Sequence, residues 1–180
     1  MAFTHRPGSR TGLSEIEAWG HGSQPLDPAP APAGDLAYNP GGRPFPRASA
    51  SFTSRFDRVE RVTDGVIHFA PNPNNRWTAF GSPNATDWVE IDFGREAGVG
   101  RVGLAFYDGG GVRAPADHAV EVPDGAGWRR PPGQRKTPER PAGGEVNEVE
   151  FPAVRASRLR VVFTHEGPAR SGLTETLVWP

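Results

Sequence analysis

The strongest structural signal in this chain is Asp87-Trp88-Val89-Glu90-Ile91-Asp92-Phe93, DWVEIDF. Val89, Ile91 and Phe93 fall on one side of the run, Trp88, Glu90 and Asp92 on the other. A period of two marks a β-strand with one buried face, because successive side chains point to opposite sides of a sheet. Gly94 ends the run. Outward from it the pattern recurs. Arg101–Tyr107 (RVGLAFY) sends Val102, Leu104 and Phe106 inward, His118–Val122 (HAVEV) puts Val120 and Val122 on one face, and Ser157–Thr164 does the same with Leu159, Val161 and Phe163. Ala48–Ser54 opens the series, while Glu145–Phe151 and Leu173–Trp179 complete it. About eight short strands with turn-rich spacing predict an all-β, antiparallel β-sandwich of the jelly-roll type.

Composition agrees. The 180 residues include 23 glycines and 20 prolines, which break long helices, yet five Trp and ten Phe supply a core. A net charge of −1 gives no basic field for phosphates, so neither nucleic acid nor an anionic membrane is an expected partner. There is no cysteine, which removes disulfides, thiolate nucleophiles and cysteine zinc sites together. No run of 18 apolar residues spans a bilayer, and the first 20 residues hold no export-type apolar region. Lys136 is the sole lysine. A GC-rich coding bias accounts for so many arginines, although their planar fork also suits sugar hydroxyls and carboxylates.

The chain repeats its own ending. Residues 3–20 (FTHRPGSRTGLSEIEAWG) align without a gap on residues 163–180 (FTHEGPARSGLTETLVWP) at an offset of 160, with eight of 18 positions identical. A fixed-offset repeat is the mark of a module used more than once. Residues 1–21 therefore read as the terminal strand of an upstream sister module, 22–34 as a Pro/Ala-rich semi-rigid linker, and 35–180 as one whole domain. Such a strand is expected to dock on a sheet edge, with Leu13 and Ile16 or Trp19 partly buried, or to exchange between copies into a strand-swapped dimer. The segment Arg129–Gly144 (RRPPGQRKTPERPAGG) has no apolar anchor and reads as a solvated loop.

Four motifs occur in order: Thr63-Asp64-Gly65, Asn75-Arg76-Trp77, the DWVEIDF strand with Gly94, and Arg158–Phe163 followed by Gly172-Leu173-Thr174-Glu175. This order, over residues 35–180, resembles the discoidin or coagulation-factor type C domain, the galactose-binding-like fold that includes the family 32 carbohydrate-binding modules. The resemblance implies an eight-stranded jelly roll, appended to a secreted bacterial glycoside hydrolase, with ligand held by loops at one end. It implies an extracellular protein whose partners are a polysaccharide or oligosaccharide and the parent catalytic domain. It also implies a structural calcium, held by the Asp of the DG turn and a Glu of the last strand, here Asp64 and Glu175. Calcium takes six to eight oxygens, and a DG turn offers a carboxylate and carbonyls together; Asp64 would equally serve only to close the turn. The same resemblance places Trp77 and Trp88 in the core.

Catalytic patterns fail on context. Gly98–Gly103 spells GxGxxG, but the strand RVGLAFY follows where a dinucleotide site needs a helix. The five histidines show no HExxH spacing. Glu90 and Asp92 share one strand face and cannot flank a glycosidic bond. No enzyme activity is expected. The loops are the better candidates. Tyr107-Asp108-Gly109-Gly110-Gly111-Val112-Arg113 joins two strands, with Asp108 and Arg113 as acceptor and donor beside three permissive glycines. The loop after Phe163 adds His165 and Arg170, and the early loop adds Arg55 and Phe56. Planar polar side chains with an aromatic platform suit a sugar's hydroxyls and its apolar C–H face. The expected function is a non-catalytic module that raises the parent enzyme's local concentration at polysaccharide. The alternative is a structural spacer or docking sandwich with no glycan affinity of its own.

Overall fold

Two long strands, β3 (Thr86–Phe106) and β7 (Val146–Thr164), form an antiparallel ribbon that builds both layers of the domain. The computed structural model describes residues 7–8 and 26–180. Besides the ribbon it contains β1 (Arg47–Ala50), β2 (Trp77–Thr78), β4 (Asp117–Asp124), β5 (Gly127–Arg129), β6 (Arg135–Thr137) and β8 (Gly172–Trp179), with one 3-10 turn at Val59–Thr63. Every strand pairing is antiparallel.

The first half of β3 pairs with β1 and with the second half of β7, which continues to β4 and β5. The second half of β3 pairs with β8 and with the first half of β7, which reach β2 and β6. Between the halves the register shifts after Asp92 and again after Val99. Such irregularities bend a strand, and here they carry the ribbon from one sheet to the other. Gly94 is one of the bending residues: its φ is 68°, and a Cβ there would stand 2.5 Å from the Phe45 ring. The sequence reading ended one strand at Gly94 and began another at Arg101; the structure makes them one bulged strand.

The alternation read from sequence is the alternation that folds. Val89, Ile91, Phe93, Val102, Leu104, Phe106, Val120, Val122, Leu159, Val161 and Phe163 are all buried. Phe163 lies 5.7 Å from Trp77 and 6.1 Å from Phe106 between ring centroids, joining the sheets across the core. Each fully buried side chain of this size contributes about 1.5–3 kcal/mol. The outcome is the all-β antiparallel sandwich that the strand spacing predicts.

Two expectations need correction. Trp88 is only half-buried, because it sits on the outward face of β3 beside Val162, while Trp77 is in the core. The 129–144 segment is not merely a solvated loop, since β6 pairs with β7 and Gln134 exchanges two hydrogen bonds with the backbone of Val120, at 3.1 and 2.6 Å. Its carboxamide completes a ladder position that no strand fills. The described part of the 22–34 segment touches the domain: the Ala29 N–H donates to the Gly65 carbonyl at 2.9 Å, and the Tyr38 hydroxyl donates to the Ala29 carbonyl at 2.8 Å. Apart from Pro7 and Gly8, the repeated segment at residues 3–20 lies outside the described residues. Among the described residues no helix is long and apolar enough to cross a membrane.

Candidate functional site

Because the ribbon turns back over the core, the two ends of β3 and the outer end of β7 meet at one end of the sandwich. The connections there cross from sheet to sheet. Residues 107–116 run from β3 to β4, and 165–171 from β7 to β8. They are tied to each other by the Arg113 N–H on the Arg170 carbonyl at 2.9 Å, and to the sheets by Tyr107 N–H on the Gly172 carbonyl at 3.0 Å. The 54–58 turn is pinned to β2, with Ser54 N–H on the Thr78 carbonyl at 3.0 Å and Arg58 N–H on the Arg76 carbonyl at 3.3 Å.

Between these loops lies a cleft of about 170 Å³, room for about six waters at ~30 Å³ each. Its floor is polar and fixed. The Asp57 carboxylate accepts hydrogen bonds from the Thr78 hydroxyl and, at 3.0 Å, from the Asn74 amide, and lies 3.6 Å from Nε of Arg76. The Arg76 guanidinium stacks on the Tyr107 ring at 4.2 Å from its centroid and donates to the Pro71 carbonyl at 3.2 Å. Its walls are aromatic. Phe56 and Phe80 both line the cleft and are 60% and 44% exposed, so their ring faces are open to a ligand. Gly111, at φ 89°, lets the loop run close to Phe80: a Cβ there would come within 3.3 Å of the ring. Fixed hydrogen-bonding groups under exposed ring faces can hold a small polar ligand that also has an apolar face.

Of the six loop residues singled out from sequence, Phe56 lines the cleft and Arg55 stacks on the Phe56 ring at 4.7 Å. Asp108 and Arg113 stand at the two feet of the glycine turn that lines the cleft, joined to each other at 2.6 Å in an exposed ion pair. His165 and Arg170 lie beneath the loops with their polar atoms engaged. The Arg170 side chain donates to the carbonyls of Ser82 (2.8 Å), Pro168 (3.0 Å) and Ala169 (3.2 Å). His165 is buried between Asp87 and Ser171, with Nε2 2.9 Å from Asp87 Oδ2 and Nδ1 3.0 Å from Ser171 Oγ. The Ser171 backbone N–H also donates to Nδ1 at 3.2 Å, so Nδ1 is the acceptor and Nε2 carries the hydrogen given to Asp87. Burial alone would raise the Asp87 carboxyl, but hydrogen bonds from Ser51, Ser82, Asn84 and His165 hold it below its ordinary range.

Sequence reasoning missed Asp57, Arg76, Thr78, Phe80 and Tyr107. One signal was available: if Trp77 points into the core, strand alternation turns its neighbours Arg76 and Thr78 outward. Nothing local in the sequence marks Phe80, and Tyr107 opens the 107–113 loop without a role of its own there; both roles depend on the crossing of separate loops.

Asp64 and Glu175 come together on the flank of the sandwich, where the Val66 N–H reaches Asp64 Oδ1 at 3.1 Å and Glu175 Oε2 at 2.9 Å. The remaining oxygens accept from Arg61 on Asp64 Oδ2 (3.1 Å) and from Thr176 on Glu175 Oε1 (3.2 Å). Burial, then the neighbouring Asp64, pushes the Glu175 carboxyl well above its ordinary range, and burial raises Asp64 too, against the opposing pull of Arg61. Each of these carboxylate oxygens already accepts from an N–H, and among the described residues no group of three or more His, Cys, Asp or Glu side chains could hold a metal ion, so a calcium here would need backbone carbonyl or water oxygens besides the two carboxylates.

The strands define an antiparallel β-sandwich with a cleft at its loop end. The chain belongs to the F5/8 type C domain family, which matches residues 47–176. Solved structures share the fold. A structure from the Streptococcus pneumoniae beta-galactosidase BgaA superposes with a TM-score of 0.75 at 22% identity, covering 81% of this chain and 98% of that one. Chitosan-binding module 1 of a Paenibacillus chitosanase/glucanase gives 0.61 at 21% identity, covering 81% and 98%. The family 32 carbohydrate-binding module of Clostridium perfringens NanJ, solved with galactose, gives 0.57 at 14% identity, covering 73% and 91%.

Proposed function

We propose that residues 35–180 are a non-catalytic, extracellular carbohydrate-binding module that holds a parent glycoside hydrolase at its polysaccharide. The observation that carries this reading is the cleft with Phe56 and Phe80 exposed above the Asp57–Arg76 floor. A sugar ring presents C–H groups to an aromatic face and hydroxyls to fixed donors and acceptors, and this cleft offers both. Relatives of the same fold bearing the names chitosan-binding module and family 32 carbohydrate-binding module support it. A calcium ion held by the carboxylates of Asp64 and Glu175 would serve as a structural charge, bracing the DG turn against β8. On a glycan array and in affinity gels, the wild type should be retained by at least one glycan. Phe56→Ala and Phe80→Ala should each weaken that binding by about 1 kcal/mol while changing stability by less than ~0.5 kcal/mol. Retention unchanged in both variants would move the site elsewhere; no retention on any glycan would leave the spacer reading.

A further inference from the structure

We infer that the cleft continues past Phe56 into an annex that takes a negatively charged sugar group, a uronate carboxylate or a sulfate ester; this rests on the sugar-binding reading above. A second recess, of about 130 Å³, shares Phe56, Asp57 and Arg76 with the cleft and adds Arg58, Arg61 and Asn74. Three guanidinium groups therefore face one carboxylate. That carboxylate is already committed, since Asp57 is bound by Thr78, Asn74 and Arg76 and its side chain is 4% exposed.

Arg76 is held by Asp57, Pro71 and Tyr107, but the other two arginines are less committed. Arg58 is exposed and has no ion-pair partner among the described residues, and the same holds for Arg55, which stacks on the outer wall formed by Phe56. Arg61 pairs with Asp64, yet its side chain stays 46% exposed. Glu60, the other carboxylate of this segment, does not line the recess. The contrast with Asp108–Arg113 is direct, because there each charge at the rim already has its opposite. A neutral sugar gives unpaired guanidiniums nothing beyond hydroxyl acceptors, whereas a carboxylate or sulfate meets the planar fork with charge-assisted, often paired, hydrogen bonds. Phe56 stands between the two recesses, placed to stack on the ring that carries the charge.

The probes are trigalacturonate, its fully methyl-esterified form, a sulfated galactan oligosaccharide and neutral galactotriose, titrated calorimetrically against the wild type, Arg58→Gln and the control Arg140→Gln. Esterification removes charge and keeps linkage and stereochemistry; the control removes the same charge at an exposed residue outside the site. Trigalacturonate should bind about tenfold tighter than its ester, the scale of one charge-assisted contact. The gap should close as the screening length falls from ~10 Å at 0.1 M salt to ~3 Å at 1 M. Arg58→Gln should erase the gap and Arg140→Gln should leave it. The same salt and variant pattern with only the sulfated probe would support the annex with sulfate as its anion. Equal binding of acid and ester, or binding of galactotriose alone, would overturn the annex and leave the sugar-binding reading standing. Binding of no probe here, with no retention on the glycan array, would overturn both.

Discussion

Two polar clusters lie at the loop end, and they are built from similar parts. In the cleft, Asp57 gathers Thr78, Asn74 and Arg76 under two exposed rings. Nearby, Asp87 gathers Ser51, Asn84 and His165, and His165 in turn meets Ser171. Taken as residue types, the second is the more suggestive, since serine, histidine and aspartate in a hydrogen-bonded row are the parts of a nucleophilic triad. Position reverses the ranking. Asp87 and Ser171 have no exposed surface at all, so no substrate reaches the hydroxyl. What the cluster does instead is tie four separate segments together beneath the cleft: Ser51, Ser82-Asn84, Asp87 and His165-Ser171. One cluster holds the frame, and the other is offered to solvent.

The largest effect should come from breaking the buried cluster. Asp87→Ala removes the shared acceptor of the Ser51 hydroxyl, the Asn84 amide and the His165 Nε2–H, the last of them buried where water does not reach. Removing one partner from such a network costs about 3–5 kcal/mol. At 2–4 °C per kcal/mol for a chain of this size, the thermal midpoint should fall by roughly 10 °C. A loss of less than ~1 kcal/mol in denaturant melts would show that the cluster does not hold the loops.

How much of this was legible beforehand follows from the range of the interactions. The strand faces were readable because alternation is local: Val89, Ile91 and Phe93 announce themselves within seven residues. The fusion of two predicted strands into β3 was not, because Gly94 reads as the end of a strand where the ladder only shifts register, between Asp92 and Ala97 and again between Val99 and Arg101. Phe56 was named as a site residue from its company in the early loop, yet its neighbour Asp57 was passed over. A carboxylate in a loop looks solvated until Thr78, 21 residues away, is known to bind it. His165 illustrates the opposite error: a loop histidine looks available until Asp87, 78 residues away, claims it. Asp64 and Glu175, 111 positions apart, could be paired only through the family resemblance.

A buried histidine without partners sharpens the comparison further. Both ring nitrogens of His118 lack a hydrogen bond, and its ring stands edge-on to Phe106 at 5.3 Å. Burial, then the nearby Lys136 charge, lowers its pKa from 6.5 to about 4, against a weaker opposing pull from Asp117. Above pH 6.5 the ring is neutral folded or unfolded, so stability does not depend on it. Between pH 6.5 and about 4 the unfolded chain takes up a proton that the folded chain refuses, and stability is lost as pH falls. A gap of two to three units at ~1.4 kcal/mol each amounts to about 3 kcal/mol. His118→Leu should flatten this limb of a stability-versus-pH curve. Because the raised carboxyls of Glu175 and Asp64 act with the opposite sign in this window, the difference between the wild-type and His118→Leu curves is the readout, and a difference that stays constant from pH 7 to 4 would show that the ring is not held neutral.

The flank site should respond on a slightly smaller scale. If calcium binds Asp64 and Glu175, a free concentration 100 times its dissociation constant adds about 2.7 kcal/mol to the native state. Excess EDTA should remove that increment, lowering the thermal midpoint by several degrees, and elemental analysis of the untreated protein should find the metal. Equal melts with and without chelator, together with no calcium by analysis, would leave Arg61 as the sole positive charge at this pair.

The smallest effect concerns the rim, and it decides how far the cleft's influence extends. Asp108 and Arg113 are 34% and 60% exposed, joined at 2.6 Å, and the loop between them keeps its own backbone bonds from Gly109 to Val112. An exposed ion pair contributes ~1 kcal/mol or less to stability, because water and salt screen what the contact gains. Arg113→Ala should therefore leave the melting curve nearly unchanged. Its effect on glycan retention is the informative quantity. Since Arg113 reaches the cleft only through the turn it supports, retention should fall by about threefold, less than half the free-energy loss of tenfold binding, and less than for Phe56→Ala. If Arg113→Ala abolishes retention while Phe56→Ala does not, the rim arginine touches the sugar, and the site is centred on the 107–113 loop rather than on the aromatic cleft.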